Sequence, residues 1–116
     1  MQKIKTHNGN MTFSLIYGKG RSFVGSYVVL YRYPNQTDQN RVGITATKKI
    51  GKAVVRNRVR RLIKENYRAL APRLKKGYDF VFVARMRTVG ARYQDIGGNM
   101  KALLLKANMF SQENKE

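Results

Sequence analysis

Cysteine is absent from the 116 residues, which excludes disulfides, a thiol nucleophile and Cys-ligated zinc. Histidine occurs once, as His7. One imidazole without cysteine cannot build a zinc site of the usual kind, and an ordinary exposed side chain is the simpler reading. Acids are scarce. The six are Asp38, Glu65, Asp79, Asp95, Glu113 and Glu116, and none precedes Asp38. A two-metal nuclease needs clustered carboxylates, and these are scattered. No nucleophile–base pair stands out, so a self-contained enzyme is not expected. No apolar run reaches the roughly 18 residues of a membrane span. Residues 1–10 carry no apolar segment of the secretory kind. The expected setting is cytoplasmic, with no membrane partner. Internal repeats and low-complexity linkers are also missing.

What is abundant is positive charge. Twenty-four Lys and Arg against the six acids give a net charge of +18 and a pI near 10.8. That balance points to nucleic acid or an anionic membrane surface. A hydrophobic fraction of 42% supplies one modest core. One domain over residues 1–116 is expected, with flexible ends at 1–8 and 111–116.

The charge is concentrated between Lys48 and Arg68, in the run KKIGKAVVRNRVRRLIKENYR. From Ala53 onward this run predicts a helix. Val55, Val59, Leu62, Ile63 and Leu70 fill an arc of about 100° on a helical projection. Asn57, Arg60, Arg61, Lys64 and Arg68 fall opposite, with Arg56 and Arg58 on the rims. A merely solvated face mixes signs, because like charges four apart repel by a few tenths of a kcal/mol, roughly. Arg56, Arg60 and Lys64 are spaced four apart with no acid among them. A polyanion would relieve that repulsion, so this face is a candidate nucleic-acid surface.

Taken in order, Asn10 is placed to cap a short helix from Met11 to about Gly18. It would carry Phe13 and Tyr17 on one side, and Gly18 and Gly20 would end it. Arg21–Val24 reads as a short strand. Tyr27–Tyr33 alternates as a second, with Tyr27, Val29, Tyr31 and Tyr33 on one face and Val28, Leu30 and Arg32 on the other. The tyrosines fit either packing beneath a helix or a stacking surface for unpaired bases. Residues 34–40 form a polar turn. Arg41–Thr47 is the next strand. Its small residues Gly43, Thr45 and Thr47 allow close approach on one face, and Lys48 and Lys49 stand at its end. Tyr78–Ala84 is apolar on both faces and reads as an interior strand. Arg85 and Arg87 lie just beyond. A last helix is expected from Ala91 to about Asn108, with Ala102, Leu103, Leu105 and Met109 covering the sheet. Gly97-Gly98 inside it points to a kink or a later start near Asn99.

The stretch from Thr47 to Glu65, TKKIGKAVVRNRVRRLIKE, resembles the signature of the protein subunit of bacterial ribonuclease P. Arg41-Val42-Gly43, Asp79 and Ala84-Arg85 also fit that pattern. The resemblance spans roughly residues 13–106. It implies an α/β (α+β) two-layer sandwich, with one four-stranded sheet and three helices in the order αβββαβα. It also implies a left-handed βαβ crossover, where the general rule gives a right-handed one.

In that family a large RNA supplies the catalytic site and holds Mg²⁺, and the protein alone binds no cofactor. The holoenzyme removes the 5′ leader of precursor tRNA. Carried over, RNA docking falls to Lys48, Lys49, Lys52, Arg56, Asn57, Arg58, Arg60, Arg61, Lys64 and Arg68. The leader falls to Phe13, Tyr17 and Tyr31, with Tyr27 sharing the face of Tyr31. Gly25-Ser26-Tyr27 departs from the more basic stretch common in the family. The implied assembly is one monomeric protein per RNA. A ribosomal RNA-binding protein would share size and charge but not the ordered signature. An architectural DNA-binding protein would need a dimer, and no dimerisation heptads are present.

Overall fold

A computed structural model describes residues 13–111. Its elements are α1 (Phe13–Lys19), β1 (Arg21–Val24), β2 (Val28–Pro34), β3 (Arg41–Thr45), α2 (Ala53–Leu70), β4 (Tyr78–Ala84) and α3 (Tyr93–Lys106). The four strands make one mixed sheet in the order β1-β2-β4-β3. β2 pairs antiparallel with β1 and β4, and β3 runs parallel to β4.

Strand alternation divides the apolar residues between two faces. Val28 and Leu30 of β2, Val42 of β3, and Phe80 and Phe82 of β4 point into the principal core. Val59, Leu62 and Ile63 of α2 cover them, together with Ile96, Met100, Leu103 and Leu104 of α3. The opposite face is a smaller cluster, in which Ile16 of α1 meets Val81, with Phe13, Tyr31, Tyr33 and Val83 around them. β4 is apolar on both faces because both its faces are covered.

Several boundaries move, each for a local reason. The expected cap at Asn10 and start at Met11 lie outside the described residues. Gly20 N–H donates to the Ile16 carbonyl at 2.8 Å and closes α1. β3 stops at Thr45, because Lys48–Ile50 turn into a 3-10 helix that buries Ile50. Lys48 and Lys49 therefore ride on that turn rather than on a strand end. Gly51, at φ +150°, then redirects the chain into α2. At the other end, Ser111 N–H donates to the Arg73 carbonyl at 2.8 Å, so residue 111 is tied down rather than loose.

The interior holds two features that the helical projections do not contain. Asn66 and Tyr67 belong to the buried side of α2. Asn66 Nδ2 donates to the carbonyls of Leu62 and Tyr93, each at 3.0 Å, and so ties α2 to the first turn of α3. α3 runs unbroken through both glycines. A Cβ on Gly97 would collide with Asn66 Oδ1, so glycine is what lets the helices approach. Nothing in the structure calls for glycine at 98. The sheet is covered by Ile96, Met100 and Leu104, whereas Leu105 is 58% exposed and Ala102 faces outward.

Candidate nucleic-acid interface

The outer side of α2 and the turn before it carry every basic residue expected there. Lys48, Lys49, Lys52, Arg58, Arg61, Lys64 and Arg68 are exposed, as is Asn57. Arg56 and Arg60 are half-buried, and the reason is specific. Arg56 Nε donates to the Gly51 carbonyl at 3.0 Å. Arg60 Nη2 donates to the Ala46 carbonyl at 3.2 Å, and its Nη1 to Asn57 Oδ1 at 3.1 Å. Arg58 Nη2 donates to the Ala91 carbonyl at 3.1 Å. Three guanidiniums are thus anchored to backbone carbonyls, two on the 46–51 connection and one at Ala91. Each spends one or two of its five donors and keeps the rest for an outside acceptor. Pre-positioned guanidiniums lose less freedom when they meet a phosphate. Glu65 is engaged by Arg61 at 3.5 Å, so no acid on this face remains unanswered.

The signature residues Arg41 and Asp79 have a different job. Asp79 is buried. It accepts from Arg41 Nε at 2.8 Å and Nη2 at 2.7 Å, and from Asn35 Nδ2 at 2.9 Å. This two-pronged pair, beside which the Arg41 guanidinium is held above its ordinary pKa by the Asp79 hydrogen bond, locks β3 to β4. It is scaffold rather than binding surface.

Across the sheet, the structure gathers Phe13, Tyr17 and Tyr31. The rings of Phe13 and Tyr17 are 6.0 Å apart and those of Tyr17 and Tyr31 are 4.7 Å apart, with planes inclined at 60°. Tyr17 is 41% exposed. Register extends this face through Val83 to Thr45 and through Val81 to Gly43. Gly43 is buried there, and among the described residues the buried Thr45 Oγ1 has no hydrogen-bond partner.

Tyr27 does not join the group. It precedes β2, and its N–H is taken by Asn99 Oδ1 at 2.9 Å. Its ring packs against the principal core instead. The Arg87 guanidinium lies 5.3 Å from that ring. Simple alternation missed this because Asn99 captures the chain one residue before the strand begins. Arg85 and Arg87 were also missed as surface cations. β3 and β4 are parallel and end together, so these two stand at the same end of the sheet as Lys48 and Lys49. Parallel order was the signal that would have placed them.

Fold and surface together define a small, strongly basic α/β RNA-binding protein. A model of the ribonuclease P family matches residues 1–108. The chain is 47% identical over 108 residues to the ribonuclease P protein component of Clostridium acetobutylicum, with 91% of each chain covered. It is 39% identical over 114 residues to that of Thermoanaerobacter pseudethanolicus, with 98% of each covered. Among solved structures, the Staphylococcus aureus protein superposes with a TM-score of 0.83 at 30% identity, over 94% of this chain and all of that one. The Thermotoga maritima protein gives 0.79 at 26% identity, over 88% and 96%. Superposition at this level requires the same hand of crossover in each chain. This chain belongs to the ribonuclease P protein family, and its partner is the ribonuclease P RNA.

Proposed function

We propose that the chain is the accessory subunit of a ribonuclease P in which the RNA performs the hydrolysis. The outer face of α2 docks on that RNA. The 5′ leader of precursor tRNA lies against Phe13, Tyr17 and Tyr31. The observation that carries this reading is the gathering of those three rings on the sheet face opposite α2. One RNA is gripped by charge on one side, and an unpaired strand is stacked on the other.

The chain's own chemistry is binding and orientation. Lys and Arg side chains replace part of the counterion atmosphere needed to bring two RNAs together. Aromatic rings accept any base, which suits a leader of varied sequence. Among the described residues, no three of His, Asp and Glu converge. In this reading Mg²⁺ belongs to the RNA. The assembly is one protein per RNA in the cytoplasm.

The test is precursor-tRNA cleavage by a bacterial ribonuclease P RNA, with and without the protein, across a Mg²⁺ series. Stimulation is expected to be largest where Mg²⁺ is scarce, and the protein alone is expected to cleave nothing. Nuclease activity that survives removal of all RNA would overturn the accessory role.

A further inference from the structure

A groove of about 470 Å³ opens between the β1–β2 turn, the end of β4 and α3. Its apolar lining is Ala102 and Leu103, with the Val24 backbone at the rim and the Val24 side chain turned to the other face of the sheet. Its polar lining is Ser26, Arg85, Asn99 and Lys106, with two cations and no acid.

The hydrogen bonds around this groove consume its acceptors. Asn99 Oδ1 accepts from the backbone N–H of Tyr27 at 2.9 Å and of Val28 at 3.1 Å. The Gly25 carbonyl accepts from Arg85 Nη1 at 2.7 Å. Because Tyr27 and Val28 offer only donors here, the orientation of the Asn99 amide is fixed. Its Nδ2 is left as a donor with no partner among the described residues. The groove therefore presents the Asn99 amide, the remaining Arg85 donors and the Lys106 ammonium beside an apolar strip. Only the Ser26 hydroxyl can serve either way. Such a lining fits a ligand made of acceptors and negative charge on a carbon frame.

This surface is separate from both sites already described. At 100° per residue, Asn99, Ala102 and Lys106 stand roughly 140–200° around α3 from Gly97. Gly97 faces Asn66 of α2. The groove thus looks away from α2. The aromatic group lies on the other face of the sheet.

We propose that this groove docks a second segment of the ribonuclease P RNA. Phosphate oxygens lie on Arg85, Asn99 and Lys106, and ribose carbons lie on Ala102 and the alkyl stem of Lys106. The occupant is this RNA rather than precursor tRNA, because the groove shares the α2–α3 side of the sheet while the leader face is opposite. The proposal rests on the reading that α2 docks on the same RNA.

The missing cysteines make the experiment direct. Ser26→Cys and Asn57→Cys each create a unique attachment point for an iron chelate that releases hydroxyl radicals. Both positions are exposed. In the complete assembly of protein, ribonuclease P RNA and precursor tRNA, position 26 is expected to cut the ribonuclease P RNA at a discrete segment. That segment should differ from the one cut from position 57. Lys106→Gln is expected to reduce the log–log salt slope of binding by roughly 0.7–0.9. Cuts from position 57 alone overturn the groove and leave α2 docking intact. Cuts from position 26 that fall on precursor tRNA, or on the segment reached from position 57, also overturn it. Cuts from neither position overturn α2 docking and the groove with it.

Discussion

The outer face of α2 and the aromatic group over β2 lie on opposite faces of one sheet and are held in different ways. The α2 face is an array of cations whose middle members, Arg56, Arg58 and Arg60, are tethered to backbone carbonyls. The aromatic group is three neutral rings held by contact with each other and with Ile16 and Val81. Charge acts at a distance and is screened by salt. Stacking acts only at contact and is nearly indifferent to salt. One surface is therefore suited to bringing a large polyanion in and fixing it. The other is suited to sorting what has already arrived, by whether an unpaired strand is present. Salt slope and leader discrimination should thus respond to different substitutions.

The largest effect is expected from replacing Arg56, Arg60 and Lys64 together by Ala. Three lost phosphate contacts reduce the log–log salt slope of RNA binding by roughly 2–3. The precursor-to-mature affinity ratio should stay where it was. Arg56 and Arg60 also clamp the 46–51 connection, so a stability loss of about 1 kcal/mol each accompanies their removal. The exposed set Lys48, Lys49 and Lys64, replaced instead, should lower the slope by the same order with no change in melting temperature. If the lysine set leaves the slope unchanged, the α2 face is not the docking surface.

Gly97→Ala tests the scaffold beneath that face. The new methyl group must displace Asn66, which then loses its bond to the Tyr93 carbonyl. A cost of about 1–3 kcal/mol in unfolding free energy is expected, read by denaturant titration. A wild-type stability curve would mean that the close approach of α2 and α3 is not needed.

Tyr17→Ala or Tyr31→Ala should cost about 1–3 kcal/mol for leader-bearing precursor and almost nothing for mature tRNA. The salt slope should not move. Equal losses for both substrates, or none for either, would make these rings ordinary packing and collapse the distinction between the two faces.

Much of this was legible in the residues. Strand alternation placed Leu30 in the core and Tyr31 opposite it, because the period of two leaves no third choice. The period of α2 separated its buried and cationic sides. What escaped was set by contacts between segments far apart in sequence. Asn66 lies within the apolar arc of α2, yet nothing local says that a polar side chain there will be satisfied by Tyr93. Gly97 has a reason only once Asn66 is opposite it. The arginine clamps of α2 depend on carbonyls of the preceding loop and of Ala91, which no helical projection contains.

Tyr27 is the smallest expected effect and the sharpest check on the division of labour. Alternation alone puts it with Tyr31, and the structure puts it against the principal core beneath Arg87. Its backbone, held by Asn99, is fixed whatever its side chain is. Tyr27→Ala should therefore leave the precursor-to-mature ratio within measurement error, while Tyr31→Ala shifts it. A modest stability loss is expected from removing a half-buried ring and freeing Arg87, whose contact with the ring is worth about 0.5–1 kcal/mol. Tyr27→Phe keeps the ring face and should restore that stability. A change in leader discrimination for Tyr27→Ala equal to that for Tyr31→Ala would mean that the leader path extends past the end of β2. The three-ring group would then be only part of the stacking surface.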